Sequence, residues 1–159
     1  MNIRDVDILL VEPSNNDAEF AVRALWREHF PSNIFIAKDG EEALDFLFCR
    51  GAFVERSFDR LPKLVLLELE LPKIDGMEVL RQLKADSRTK SIPVVILGSS
   101  PQELDLARSY DLGANCYIQK PKGSTQSWQT VKTVGSYWMN VNRHPVVESS
   151  NGSTEKGTS

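Results

Sequence analysis

The sequence predicts an α/β fold, a doubly wound five-stranded parallel sheet with helices on both faces. Three observations lead there. Five short apolar runs, mostly β-branched or aromatic, recur along the 159 residues. Three of these runs are continuous rather than alternating, as strands buried on both faces require. Helical periods fall between them, so that strand and helix alternate from end to end.

The first strand is expected at Ile8-Leu9-Leu10-Val11. Ala18, Ala21, Val22, Leu25 and His29 then follow the spacing of one helix face. Ile34-Phe35-Ile36-Ala37 supplies the second strand and Leu64-Val65-Leu66-Leu67 the third. Val79, Leu80 and Leu83 share a helix face after it. Val94-Val95-Ile96-Leu97 forms the fourth strand, and Pro101 is well placed to start a helix before Leu104 and Ala107. Cys116-Tyr117-Ile118 is the fifth strand. A long last helix carries the stripe Val131, Val134, Trp138 and Val141, with Gly135 as an interior weakness of about 1 kcal/mol relative to alanine. Residues 1–147 read as one domain, and residues 148–159, rich in Ser, Gly, Thr and charge, as a disordered tail.

Composition narrows the function. With 41% hydrophobic and 26% charged residues, the chain is neither disordered, collagenous nor a disulfide scaffold. A net charge of −3 offers no field for nucleic acid. Cys49 and Cys116 lie far apart without metal-type spacing and read as reduced thiols of a cytoplasmic protein. The N-terminus has no signal-type apolar region, and no apolar run approaches a membrane span. His29 and His144 are isolated. Trp26, Trp128 and Trp138 read as packing or interface residues.

In an open α/β sheet the ligand crevice lies beyond the carboxyl ends of the strands. Strand one runs into Glu12, strand three into Glu68, strand four into Gly98-Ser99-Ser100, and strand five into Lys120-Pro121. Two carboxylates, a hydroxyl-bearing turn and a lysine therefore converge. Such a set suits a divalent cation beside an anion held by the lysine.

These motifs, VDILLVEPSNNDAEF, KDGEEALDFL, PKLVLLELELPKIDGMEVLRQLK, IPVVILGSS and LGANCYIQKP, resemble in order the receiver domain of bacterial two-component response regulators. The resemblance spans about residues 6 to 142 and is narrowest to the small regulators paired with cyanobacterial phytochrome histidine kinases. It implies a flavodoxin-like strand order 2-1-3-4-5. It also implies phosphoryl transfer from a kinase histidine to an aspartate ending strand three, with Mg²⁺ held by an acidic pair, that aspartate and a backbone carbonyl. In this sequence the implied phosphoacceptor position is Glu68. The implied metal set is Glu12, Glu68 and the Glu70 carbonyl. Gly98 and Ser99 stand at the switch hydroxyl, Tyr117 at the switch aromatic and Lys120 at the phosphate-binding lysine.

Three departures matter. Glu68 replaces the aspartate and moves its carboxylate by about an ångström or more, which spoils an in-line geometry. Pro13 replaces the second acid, so Mg²⁺ is expected to bind weakly if at all. Gly98 replaces the hydroxyl residue, although Ser99 could substitute if the turn rotated. Two geometries are open to Glu68: a standing pair with Lys120, or an orientation into solvent. The expected function is a non-enzymatic signalling module that acts by protein–protein contact, a pseudo-receiver. A working phosphoacceptor for a phytochrome-type kinase is the alternative. An enzyme on this sheet would need a nucleophile elbow or a Cys–His pair, and neither occurs at the strand ends. Val134, Trp138 and Val141, with the segment to Pro145, are expected to form a homodimer interface.

Overall fold

A computed structural model describes residues 2–26, 33–99, 103–120 and 128–143, with the side chains of 103 and 104 excepted. The expectations for His29, Ser100, Pro101, Pro121, His144, Pro145 and the tail lie outside the described residues.

Five parallel strands stand in the order β2-β1-β3-β4-β5: β1 Ile8–Val11, β2 Ile34–Ala37, β3 Leu64–Glu68, β4 Val94–Gly98 and β5 Cys116–Gln119. Every residue of β1, β3 and β4 is buried. That burial explains the continuous apolar runs that lead up to Glu68 in β3 and Gly98 in β4, because a central strand covered on both faces has little room for a polar side chain without a partner.

Alternation sorts the strand residues between two cores. Leu9, Val11, Val65, Leu67, Val94 and Ile96 face α2 (Gly40–Leu47) and α3 (Gly76–Ala85). Ile8, Leu10, Leu64, Leu66, Val95 and Leu97 face α1 (Asn15–Trp26) and α5 (Gln129–Ser136). α4 (Glu103–Asp111) leans on β5. Ala107 of α4 is exposed, and among the described side chains of this helix the buried one is Ser109.

The last helix departs from its expected form. Its α-helical part stops at Ser136, and Tyr137–Val141 continues as a π-helical turn closed by Asn142 N–H to the Tyr137 carbonyl at 2.7 Å. Gly135 is more than a weak point, because a Cβ there would lie 2.4 Å from Leu25 Cδ2. The absent side chain lets α5 approach α1 closely. Below that contact, Trp128 is 2% exposed and stacks on Phe20 at 6.1 Å between ring centroids. The stripe divides: Val131 is buried, Val134 and Trp138 pack partly against the chain's own core, and Val141 is 65% exposed.

Candidate functional site

The carboxyl ends of β1, β3 and β5 bring Glu12, Glu68 and Lys120 together. The ladder carries each residue to its place. Glu12 N–H still donates to the Ala37 carbonyl at 2.9 Å, and Lys120 N–H to the Gly98 carbonyl at 2.7 Å. Both glutamates are 1% exposed. The orientation of Glu68 into solvent is therefore excluded, and the standing pair is the observed geometry.

Lys120 is the centre of the cluster. Its Nζ donates to Glu12 Oε1 at 2.9 Å and lies 2.8 Å from Glu12 Oε2 and 3.2 Å from Glu68 Oε2. A third carboxylate joins them: Asp17 Oδ2 is 2.8 Å from the same nitrogen. Asp17 was not among the residues expected from the sequence. Its signal lay in a helix start. Ser14 caps α1, its hydroxyl accepting the Asp17 N–H at 3.3 Å, in the S-x-x-D spacing of a capping box. In such a box the acid reaches back to the cap N–H. Here Glu12 Oε1 takes the Ser14 N–H at 3.1 Å instead, and the Asp17 side chain turns to Lys120.

Protonation follows from burial and pairing. Burial pushes the Glu12 carboxyl above its usual range, against the opposing pull of Lys120. Burial alone would lower Lys120, but its hydrogen bonds to Asp17 and Glu12 and the charges of Glu68 and Glu12 outweigh it and hold the ammonium well above the ordinary lysine value. Lys120 is therefore charged throughout the physiological range.

Glu68 is fixed on its other side as well. Ser99 Oγ donates to Glu68 Oε1 at 2.8 Å, and Glu70 N–H donates to the same oxygen at 3.2 Å. Ser99 thus supplies the hydroxyl that position 98 lacks. Gly98 has a separate role. A Cβ built on it would lie 2.0 Å from Tyr117 Oη and 2.5 Å from Cζ. The tyrosine hydroxyl occupies the space of a side chain at 98, and only glycine leaves that space open.

As a holder of divalent metal the cluster is a poor fit. Among the described residues no three His, Cys, Asp or Glu side chains are grouped as metal ligands. Both Glu12 oxygens, Asp17 Oδ2 and Glu68 Oε2 face the ammonium instead.

A parallel sheet in this order, with carboxylates and a lysine at its carboxyl end, defines a receiver-type signalling domain. The chain belongs to the response regulator receiver domain family, which matches residues 8–132. It is 41% identical over 138 residues to the probable methanogenesis regulatory protein FilR2 of Methanothrix harundinacea (strain 6Ac), covering 87% of this chain and 86% of that protein. It is 36% identical over 132 residues to the response regulator Rcp1 of Synechocystis sp. (strain ATCC 27184 / PCC 6803 / Kazusa), covering 83% and 88% of the two chains. Among solved structures, the Mn²⁺-bound form of Rcp1 superposes with a TM-score of 0.81 at 35% identity, covering 88% of this chain and 99% of that one. The phosphorylated cyanobacterial phytochrome response regulator RcpA gives 0.82 at 38%, covering 89% and 99%. The chain is thus a receiver domain related to the phytochrome response regulators. Among the described residues no helix is long and apolar enough to cross a membrane.

Proposed function

We propose that this chain is an atypical receiver that signals by protein–protein contact and does not turn over phosphate on an aspartate. The observation that carries the proposal is the state of Glu68. It stands where the family places the phosphoacceptor, is buried, and is held at once by Lys120, Ser99 and the Glu70 N–H. A carboxylate pinned in this way already presents the lysine with the negative charge that a phosphoryl group would otherwise bring. Any Mg²⁺ at the site is held weakly. The module is non-enzymatic and cytoplasmic, and its partner is a phytochrome-type histidine kinase or another signalling protein rather than nucleic acid.

A variant series tests the site. Glu68→Asp alone should recover at most weak labelling by acetyl phosphate with Mg²⁺, because Pro13 still withholds a carboxylate ligand. Glu68→Asp with Pro13→Asp, leaving Gly98 and Ser99 in place, should recover much more. Full recovery from the single change would show that position 13 counts for little. A working phosphoacceptor is the second reading, favoured by the similarity to RcpA, whose structure is of the phosphorylated form.

The chain is also proposed to form a twofold homodimer through the outer side of its C-terminal helix. There Tyr137 is 49% and Val141 65% exposed, with the free edges of Val134 and Trp138 beside them.

A further inference from the structure

We infer that the Lys120 ammonium is the resident cation of this site, held where three carboxylates converge, so that the chain takes up divalent metal only once that ammonium is removed. The inference deepens the reading of the cluster as a receiver site and rests on it.

The geometry is that of a cation in its ligand shell. Nζ lies 2.8 Å from Glu12 Oε2, 2.8 Å from Asp17 Oδ2 and 3.2 Å from Glu68 Oε2. Hard divalent ions sit about 2.0–2.6 Å from such oxygens. An ion bonded to all three would overlap the nitrogen, so metal and ammonium exclude each other. Among the described residues the ion-pair partners of the lysine are these three carboxylates, and its side chain is 11% exposed.

Beside the hydrogen bond to Glu12 Oε1, two further observations point to a cation position. Among the described residues nothing donates a hydrogen bond to the buried Glu12 Oε2 and Glu68 Oε2, although the ammonium lies within ion-pair distance of both. Their attraction to it is one of charge, which a metal could equally satisfy. In addition, three carboxyl groups converge on one ammonium, an oxygen-rich arrangement of the kind that suits a divalent ion. Pro13, directly after Glu12, contributes no carboxylate. Asp17 does so from α1, on the side of the lysine.

Titration of the full chain with MnCl2, followed by calorimetry and by paramagnetic broadening of assigned amides, tests this. Wild type should show no saturable heat and no selective broadening at residues 12, 17 and 68 up to several millimolar. Lys120→Met should bind Mn²⁺ at least about tenfold more tightly, with broadening at those three residues. Adding Asp17→Asn should remove the gain. Lys120→Arg keeps a cation in place and should bind as weakly as wild type.

The Met variant leaves buried carboxylates without a counter-ion, so its thermal midpoint should be low in chelator and should rise with Mn²⁺. A Met variant that Mn²⁺ neither binds nor stabilises overturns the inference. So does sub-millimolar binding by wild type at these residues. Phosphoryl uptake is read separately by mass: labelled wild type that ignores Mn²⁺ would sink the proposed function and leave the resident cation standing.

Discussion

Replacing Gly98 by alanine puts a methyl group 2.0 Å from Tyr117 Oη, 2.5 Å from Cζ and 3.0 Å from Cε1. Ordinary carbon contacts begin near 3.5 Å, so one partner must move by more than an ångström. The backbone at 98 is not free to do so. It ends a buried central strand, paired with β5 opposite Gln119, and its carbonyl accepts the Lys120 N–H. The tyrosine must therefore leave. Overpacking of this kind costs about 1–3 kcal/mol. For a chain of this size that corresponds to a fall in thermal midpoint of roughly 2–4 °C per kcal/mol. A second signature is specific to the ring. In wild type the Tyr117 hydroxyl is held above its ordinary pKa by burial and by the neighbouring Asp105 and Glu68 charges. On expulsion it should titrate closer to the free phenol. Fluorotyrosine NMR with Tyr117 assigned reads both position and titration, and Tyr117→Ala should lose most of the sensitivity to the change at 98. A Gly98→Ala chain with an unmoved Tyr117 resonance and an unchanged midpoint would refute the packing account of Gly98.

Other expectations concern stability and assembly. Among the described residues Lys84 Nζ donates to neutral acceptors, the Lys90 and Ile92 carbonyls and Asn115 Oδ1, and burial pulls it down to about 8. Its folded pKa lies below the unfolded one, so the unfolded chain binds more protons between about pH 8 and 10.5 and stability should rise with pH there. Lys84→Met should abolish that rise in urea midpoints, and an unchanged pH profile would contradict it. Gly135→Leu should wedge α1 from α5 and cost about 1–3 kcal/mol; chemical denaturation giving no loss would show that the helices can separate freely. Sedimentation at tens of micromolar, on the order of a weak-interface affinity, should show a dimer that Val141→Asp disrupts. A monomeric wild type would end the dimer proposal.

The sheet was legible in the sequence because burial on both faces of β1, β3 and β4 leaves uninterrupted Ile, Leu and Val. The strands found there differ from the expected runs only by one residue at the carboxyl ends of β3, β4 and β5. The last helix was less legible. Residues three and four apart share a face in an α-helix, and the same apolar stripe is equally consistent with the π-helical turn that begins at Tyr137. At the site, the strand-end rule located Glu12, Glu68 and Lys120. It could not give the direction of Glu68, because sequence fixes how far a side chain reaches and not which way it points. Asp17 was missed for a related reason. Its spacing from Ser14 reads as a helix cap, and only the folded chain shows Glu12 taking over that duty and releasing Asp17 to Lys120. Gly98 read as the loss of a hydroxyl. In the fold it also provides the space for Tyr117.

The central claim is that Glu68, buried and held by Lys120 and Ser99, has replaced the chemistry of the phosphoacceptor. Intact-protein mass after incubation of wild type with acetyl phosphate and Mg²⁺, and in parallel with a phosphorylated phytochrome-type kinase, tests it most directly. The account predicts an unchanged mass in both. A stoichiometric gain of one phosphoryl group, mapped to Glu68, would contradict it.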